Sequence, residues 1–140
     1  MKGSCLCGSV SFETKEMVEE TTACHCGMCN KWSSSPFIAI QLKEIFHVSG
    51  DDNIEHYQSS EWAERTFCKR CGTHLYYKSK KPEFYHFNAA LFPEKYLNPI
   101  SLEIFVDKKP KYYRYLNEFS QKMTEEDVIS FLTNSSLNKK

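Results

Sequence analysis

The chain has 140 residues, of which 41% are hydrophobic and 26% charged. That is enough for one domain with a buried core, too little for two, and too apolar for a disordered chain. Eighteen basic side chains cancel eighteen acidic ones, which argues against a nucleic-acid binder built on excess Lys and Arg. No apolar run approaches the roughly 20 residues needed to cross a bilayer. The opening MKGSCLCGSV also lacks the apolar stretch of a secretory signal. The expectation is a cytoplasmic protein with no membrane and no nucleic-acid partner. Residues 1–60 hold four basic and eight acidic side chains, and 61–140 hold fourteen and ten. This is ordinary surface variation, with a weak basic face around Lys78, Lys80, Lys81, Lys108, Lys109 and Lys111.

Taken in chain order, the predicted elements are mostly strands. Val10 and Phe12 alternate with polar neighbours after Gly8, as a half-buried strand requires. Phe37 to Ile40 follows Pro36 as a second strand. Phe46 and Val48 alternate with His47 up to the reversal Gly50-Asp51-Asp52-Asn53. Ile54 to Gln58, Arg65 to Cys68 and His74 to Lys78 read as further short strands. Phe84 to Leu91 and Leu102 to Val106 do the same, being rich in aromatic or β-branched residues. A single helix closes the chain. Thr124 caps it, Glu125, Glu126 and Asp127 suit its N-terminus, and Val128, Ile129, Phe131 and Leu132 supply an apolar stripe. The fold class is therefore all-β, mainly β with one C-terminal helix. One domain spans 1–133, and 134–140 form a short polar tail.

Against this background stand seven cysteines: Cys5, Cys7, Cys24, Cys26, Cys29, Cys68 and Cys71. An odd number with no export signal favours metal ligands over disulfides. In an extended C-x-C, side chains at i and i+2 share a face, so Cys5 and Cys7 present two thiols together. A C-x2-C turn such as Cys68 to Cys71 curls two thiols round one point, as in zinc ribbons. Gly8, Gly27 and Gly72 each follow a cysteine and permit a left-handed backbone there.

Cys24, Cys26 and Cys29 lie within six residues and reach one ion unaided. The remaining four thiols make a closed tetrahedral site that clamps the chain across about 60 residues, offsetting the entropy of closing that loop. Three thiolates leave a fourth position to water, a protein nitrogen or an exogenous ligand. An open position distinguishes catalytic from structural zinc, and a position filled by His25 or another side chain makes the site inert. Zinc fits all-thiolate tetrahedra and paired knuckles best, and iron–sulfur chemistry is the other fit. In an extended Cys24-His25-Cys26, His25 points away from the ion. His74 reads as a partly buried hydrogen-bonding group and His86 as pocket-lining or exposed. The rings of Tyr76, Tyr77, Phe84, Tyr85 and Phe87 read as core and sheet surface.

Three motifs in this order resemble the glutathione-dependent formaldehyde-activating enzyme family, which includes the centromere protein V domain. They are Cys5-Leu6-Cys7-Gly8, Cys24-His25-Cys26-Gly27-Met28-Cys29 and Phe67-Cys68-Lys69-Arg70-Cys71-Gly72-Thr73-His74-Leu75. Trp32, Pro36-Phe37 and Ser60-Glu61-Trp62 add to the resemblance, which runs from about Gly3 to Tyr113. Departures from the family pattern fall at Leu91-Phe92-Pro93, Glu103 and Tyr112.

The resemblance implies a tent-like β fold organised around two zinc sites. Structural zinc sits on Cys5, Cys7, Cys68 and Cys71, and functional zinc on Cys24, Cys26 and Cys29. It also implies a carbon–sulfur lyase in which a small thiol, glutathione or an analogue, adds reversibly to an aldehyde such as formaldehyde. The alternatives are a non-catalytic zinc module that binds a protein and, disfavoured by the zero net charge, a chromatin-associated domain.

Overall fold

The computed structural model describes residues 1–137, with side chains through Ser135. In chain order the strands are β1 (Lys2–Ser4), β2 (Ser11–Glu13), β3 (Thr21–Cys24), β4 (Phe37–Leu42), β5 (His47–Ser49) and β6 (Ile54–Gln58). They continue with β7 (Ala63–Cys68), β8 (His74–Lys80), β9 (Glu83–Asn88), β10 (Ile100–Ile104) and β11 (Gln121–Met123). Helix α1 (Gly27–Ser33) follows β3, and α2 (Glu125–Leu137) ends the described chain. The protein is thus mostly β with a C-terminal helix, as the alternation predicts. Its residues fall into two compact units, Met1–Glu19 with Ala39–Leu97, and Glu20–Ile38 with the residues from Asn98 onward.

In the first unit, β2 lies between β1 and β5, antiparallel to both, with Phe12 opposite Gly3 on one side and Val48 on the other. Strands β4, β9, β8, β7 and β6 pair in that order, also antiparallel. Antiparallel strands need only short connections, which explains how so many fit in so few residues. Phe12 meets Phe87 edge-on at 5.2 Å between ring centroids and Tyr76 at 6.1 Å. Val10, Phe12, Ile40, Leu42, Leu75 and Phe87 form one buried cluster with Cys5 and Cys68. The core of this unit therefore carries two of the predicted metal ligands on its edge.

In the second unit, β10 runs parallel to β3 and to β11. The register places Glu103 beside Ala23 and Ile104 beside Cys24. Thr124 caps α2 as predicted, its hydroxyl accepting the Asp127 N–H at 3.2 Å while Asp127 Oδ2 accepts the Thr124 N–H at 2.9 Å. This reciprocal pair satisfies two free donors of the first turn.

Several boundaries differ from the sequence reading. Strand β9 ends at Asn88, whose side chain accepts the Ala90 N–H at 3.1 Å and turns Ala89–Leu91 into a single 3-10 turn. Strand β10 ends at Ile104 because Phe105 adopts a left-handed backbone with φ 56°. In α2 only Val128 is fully buried, with Leu132 partly so. Ile129 and Phe131 are 55% and 63% exposed, because they lie about 100° to either side of the 128/132 face. The helix continues through 134–137, into the stretch read as a polar tail. No Gly or Pro interrupts it there, and Ser135 donates to the Phe131 carbonyl at 2.8 Å. The rest of that tail, 138–140, lies outside the described residues. Among those residues no helix is long and apolar enough to cross a membrane.

Phe87 touches Phe12, Tyr76, Tyr85 and Phe92. Truncating it in Phe87→Ala should cost about 3–5 kcal/mol, both transfer energy and the cavity left behind. Urea denaturation checks this, and a loss under 1 kcal/mol would contradict the packing described.

Candidate metal centres

Four sulfurs converge at the edge of the first core. Cys5 and Cys7 lie in the turn after β1, where Gly8 N–H returns to the Cys5 carbonyl at 3.0 Å. Cys68 ends β7, and Gly72 N–H returns to its carbonyl at 2.8 Å in the same way. Gly8 and Gly72 have φ 78° and 77°, a left-handed backbone that costs glycine nothing. Gly27 does not share this conformation. It opens α1, because the third knuckle runs into a helix rather than a second strand.

The two turns are joined by the Leu6 N–H, which donates to Thr73 Oγ1 at 3.1 Å. Cys5 Sγ lies 3.6 Å from Cys7 Sγ, and Cys7 Sγ 3.9 Å from Cys68 Sγ. All four sulfurs of Cys5, Cys7, Cys68 and Cys71 lie within 4.8 Å of one another. A tetrahedron of Zn–S bonds of about 2.3 Å needs S···S edges near 3.8 Å, whereas a disulfide needs about 2.05 Å. The geometry fits a four-thiolate metal site and excludes disulfide bonds.

The electrostatics fit as well. Hydrogen bonds from the hydroxyl and N–H of Thr73 hold Cys71 down to about 5, while burial pushes Cys68 up to about 11. Cys7 is lowered by the hydroxyl and N–H of Ser9. Some of these thiols are ready as thiolates, and the buried one needs a cation beside it to ionise.

The second cluster is built differently. Cys24 ends β3, Cys26 caps α1 from an extended conformation, and Cys29 lies buried in its first turn. Cys26 Sγ accepts the Cys29 N–H at 3.4 Å, so a thiol does the capping work usually left to Ser or Asp. The three sulfurs lie within 4.8 Å of one another. Cys24 is raised well above its ordinary value by the neighbouring thiols of Cys26 and Cys29 and then by burial, as three crowded sulfurs without a counter-ion must be. The donor set therefore fits a soft or borderline cation.

His25, between two residues of this trio, bonds through its ring to other side chains. It is 0% exposed, and both its ring nitrogens are engaged. Nε2 meets Glu103 Oε1 at 2.7 Å, and Nδ1 meets the Tyr113 hydroxyl at 2.8 Å. The Tyr113 ring also stacks on the imidazole at 5.5 Å. Glu103, itself 0% exposed, accepts the Leu116 N–H at 3.0 Å, the Asn117 N–H at 3.4 Å and the Ser120 hydroxyl, with Lys122 Nζ at 3.4 Å. Burial raises its pKa, but these donors and His25 outweigh burial and hold the carboxyl down to about 2. On the outer side, the Tyr112 hydroxyl donates to Asn30 Oδ1 at 2.6 Å.

Of the predicted site residues, the structure brings all seven cysteines into the two expected groups. The sequence reading assigned no role to Glu103, Tyr113 or Asn30. Glu103 carried only one signal, a departure from the family pattern. The other histidines stand apart from both clusters. His74 is half-buried and lowered by burial and by Arg65. Half-buried His86 lies 5.0 Å from the Phe84 ring, where burial pushes it down to about 4.

The chain is mostly β and carries a four-sulfur and a three-sulfur cluster, each of which could hold a metal ion. The family model described as glutathione-dependent formaldehyde-activating enzyme matches residues 1–108, which include all seven cysteines. An uncharacterized lyase of Schizosaccharomyces pombe is 37% identical over 136 residues, covering 94% of this chain and 96% of the relative. A Rhodobacter sphaeroides protein of known crystal structure is similar with a TM-score of 0.56 and 28% identity, covering 71% of this chain and 92% of that one. The chain belongs to the glutathione-dependent formaldehyde-activating enzyme family. Family and relative together support a lyase-like function.

The histidines offer a pH test that does not involve the metal ligands. Because burial disfavours charged His86, its folded pKa lies below the unfolded value of about 6.5. Protonation then favours unfolding, so its contribution to stability is lost as pH falls from about 6.5 toward 4. An NMR titration of the histidine side chains should show His86 neutral down to about pH 5, and a midpoint above 6 would contradict its burial.

Proposed function

We propose that this protein is a zinc-dependent carbon–sulfur lyase acting on a small thiol adduct, in the cytoplasm, where thiols stay reduced. Cys5, Cys7, Cys68 and Cys71 hold a structural zinc, and Cys24, Cys26 and Cys29 hold the functional one. The observation that carries this reading is the division of seven sulfurs into a group of four and a group of three, each mutually within 4.8 Å. Four thiolates saturate a tetrahedral ion and three do not.

Bound zinc would supply Lewis acidity, stabilising a substrate sulfur as thiolate at neutral pH. The reaction itself is simple. In the addition direction, the C–S bond forms at the aldehyde carbon, the carbonyl π pair moves to oxygen, and the thiol proton ends there. The product is a hydroxymethyl thioether when the aldehyde is formaldehyde. Glutathione is the thiol that the family description names, and an analogue would serve the same chemistry.

The chain's own residues prepare this chemistry. The Cys26 cap and the first turn of α1 gather Cys26 and Cys29, and β3 delivers Cys24. His25, the nearest nitrogen in sequence, is engaged at both ring nitrogens by Glu103 and Tyr113. It therefore leaves the fourth position free for a thiol.

Metal analysis of the pure protein should give about two zinc per chain. Cys68→Ser should unfold it, and Cys26→Ser should leave it folded with one zinc fewer. Equal unfolding by both variants would overturn the split into structural and functional sites. Adding glutathione and other small thiols to the cobalt(II)-loaded protein should change the sulfur-to-cobalt charge-transfer bands. If none of the thiols does so, a non-catalytic zinc module is the better reading.

A further inference from the structure

The pairing of β3 with β10 brings a buried carboxylate to the residue that separates two ligands of the trio. A backbone bond ties the Cys24-His25-Cys26 segment to β10, His25 N–H donating to the Ile104 carbonyl at 3.0 Å. Its side chain is gripped by Glu103 of the same strand on Nε2 and by the Tyr113 hydroxyl on Nδ1.

An ionised carboxylate only accepts, so His25 Nε2–H donates to Glu103 Oε1, while Nδ1 and the Tyr113 hydroxyl share the second bond. Glu103 is fixed in turn by two backbone N–H groups, Ser120 and Lys122. No rotation of His25 keeps both bonds. Because successive side chains of an extended segment point to opposite faces, fixing the His25 ring fixes the direction of the Cys24 and Cys26 side chains.

Stability alone does not require such a device. Well-packed apolar residues of similar volume often hold a fold as firmly as a buried ionic pair. What an apolar pair does not supply is direction.

The geometry points to Glu103 as the positioning residue of the trio, acting through His25 and seconded by Tyr113, so that three thiols converge on one ion while the fourth position stays open. This rests on the reading of the trio as a metal site. Partners of this kind, one bond removed from the ligands, typically alter metal affinity by 10–100-fold.

The test compares the two sites within one molecule. Zinc is titrated against a competing chelator in the full-length protein, in His25→Leu/Glu103→Leu and in Tyr113→Phe. The double variant removes the pair as a unit but leaves the Leu116 and Asn117 N–H groups and Ser120 without their carboxylate acceptor. It is therefore scored where its circular dichroism matches the wild type, and Tyr113→Phe carries the test where it does not. The double variant's tighter site should keep wild-type affinity, and its weaker one should lose tenfold or more. Tyr113→Phe removes a single hydroxyl, should fold normally, and should lose about threefold at the weaker site alone, as one neutral hydrogen bond would. Cobalt(II) spectra should show the loss as a weakened three-sulfur chromophore.

Unchanged affinity at both sites in a folded Tyr113→Phe and double variant would overturn the proposal. So would an equal loss at both sites, which is what a merely structural role predicts. A wild-type protein that binds one ion instead of two fails earlier, on the reading of the trio itself.

Discussion

Sulfur atoms packed within a few ångströms of one another set the main constraint on this molecule. As thiolates they repel, and as thiols they forgo most of the hydrogen bonding that burial demands. Both clusters hold sulfurs within 4.8 Å of their neighbours, an arrangement that only positive charge at the centre makes favourable. The surrounding chain reduces the remaining cost locally. Val10 N–H donates to Cys5 Sγ at 3.3 Å, Cys29 N–H donates to Cys26 Sγ at 3.4 Å, and Thr73 lies beside Cys71 Sγ at 3.1 Å. The folds round the two clusters differ. Antiparallel hairpins close on the quartet, whereas a strand end and a helix start meet at the trio.

Much of this was legible in the residues. The quartet and trio follow from spacing, since i, i+2 on extended chain and i, i+3 in a tight turn have defined geometry whatever surrounds them. Alternation marked β2 and β5, aromatic and β-branched content marked β9 and β10, and the Thr124 cap was readable because it is a local exchange of hydrogen bonds. Strands β1, β3 and β11 were not legible. Each has three or four residues and lacks the flanking apolar alternation that marks the equally short β2 and β5, and each exists because a partner strand lies beside it. Helix α1 spans only seven residues, two turns in which Met28, Cys29 and Trp32 are too few to register as a periodic stripe. It forms because Cys26 caps it, a role that composition does not assign to cysteine.

Glu103 shows the limit most clearly. In sequence it is one carboxylate in Leu102-Glu103-Ile104, a stretch that reads as an ordinary strand. Its burial, its partners and its place beside Ala23 all arise from a parallel pairing across some 80 residues. Tyr113 is hidden in the same way among Tyr112, Arg114 and Tyr115. Long-range polar networks leave no periodic trace, so only their departure from a family pattern marks them beforehand.

The division of the chain also bears on how the protein is made. The trio's cysteines leave the ribosome early, but the carboxylate and phenol that grip His25 follow 78 and 88 residues later. The quartet is complete once Cys71 has emerged. A nascent chain therefore holds all four sulfurs of the quartet before the polar frame beside the trio has been synthesised, and the trio's surroundings are the last to take shape.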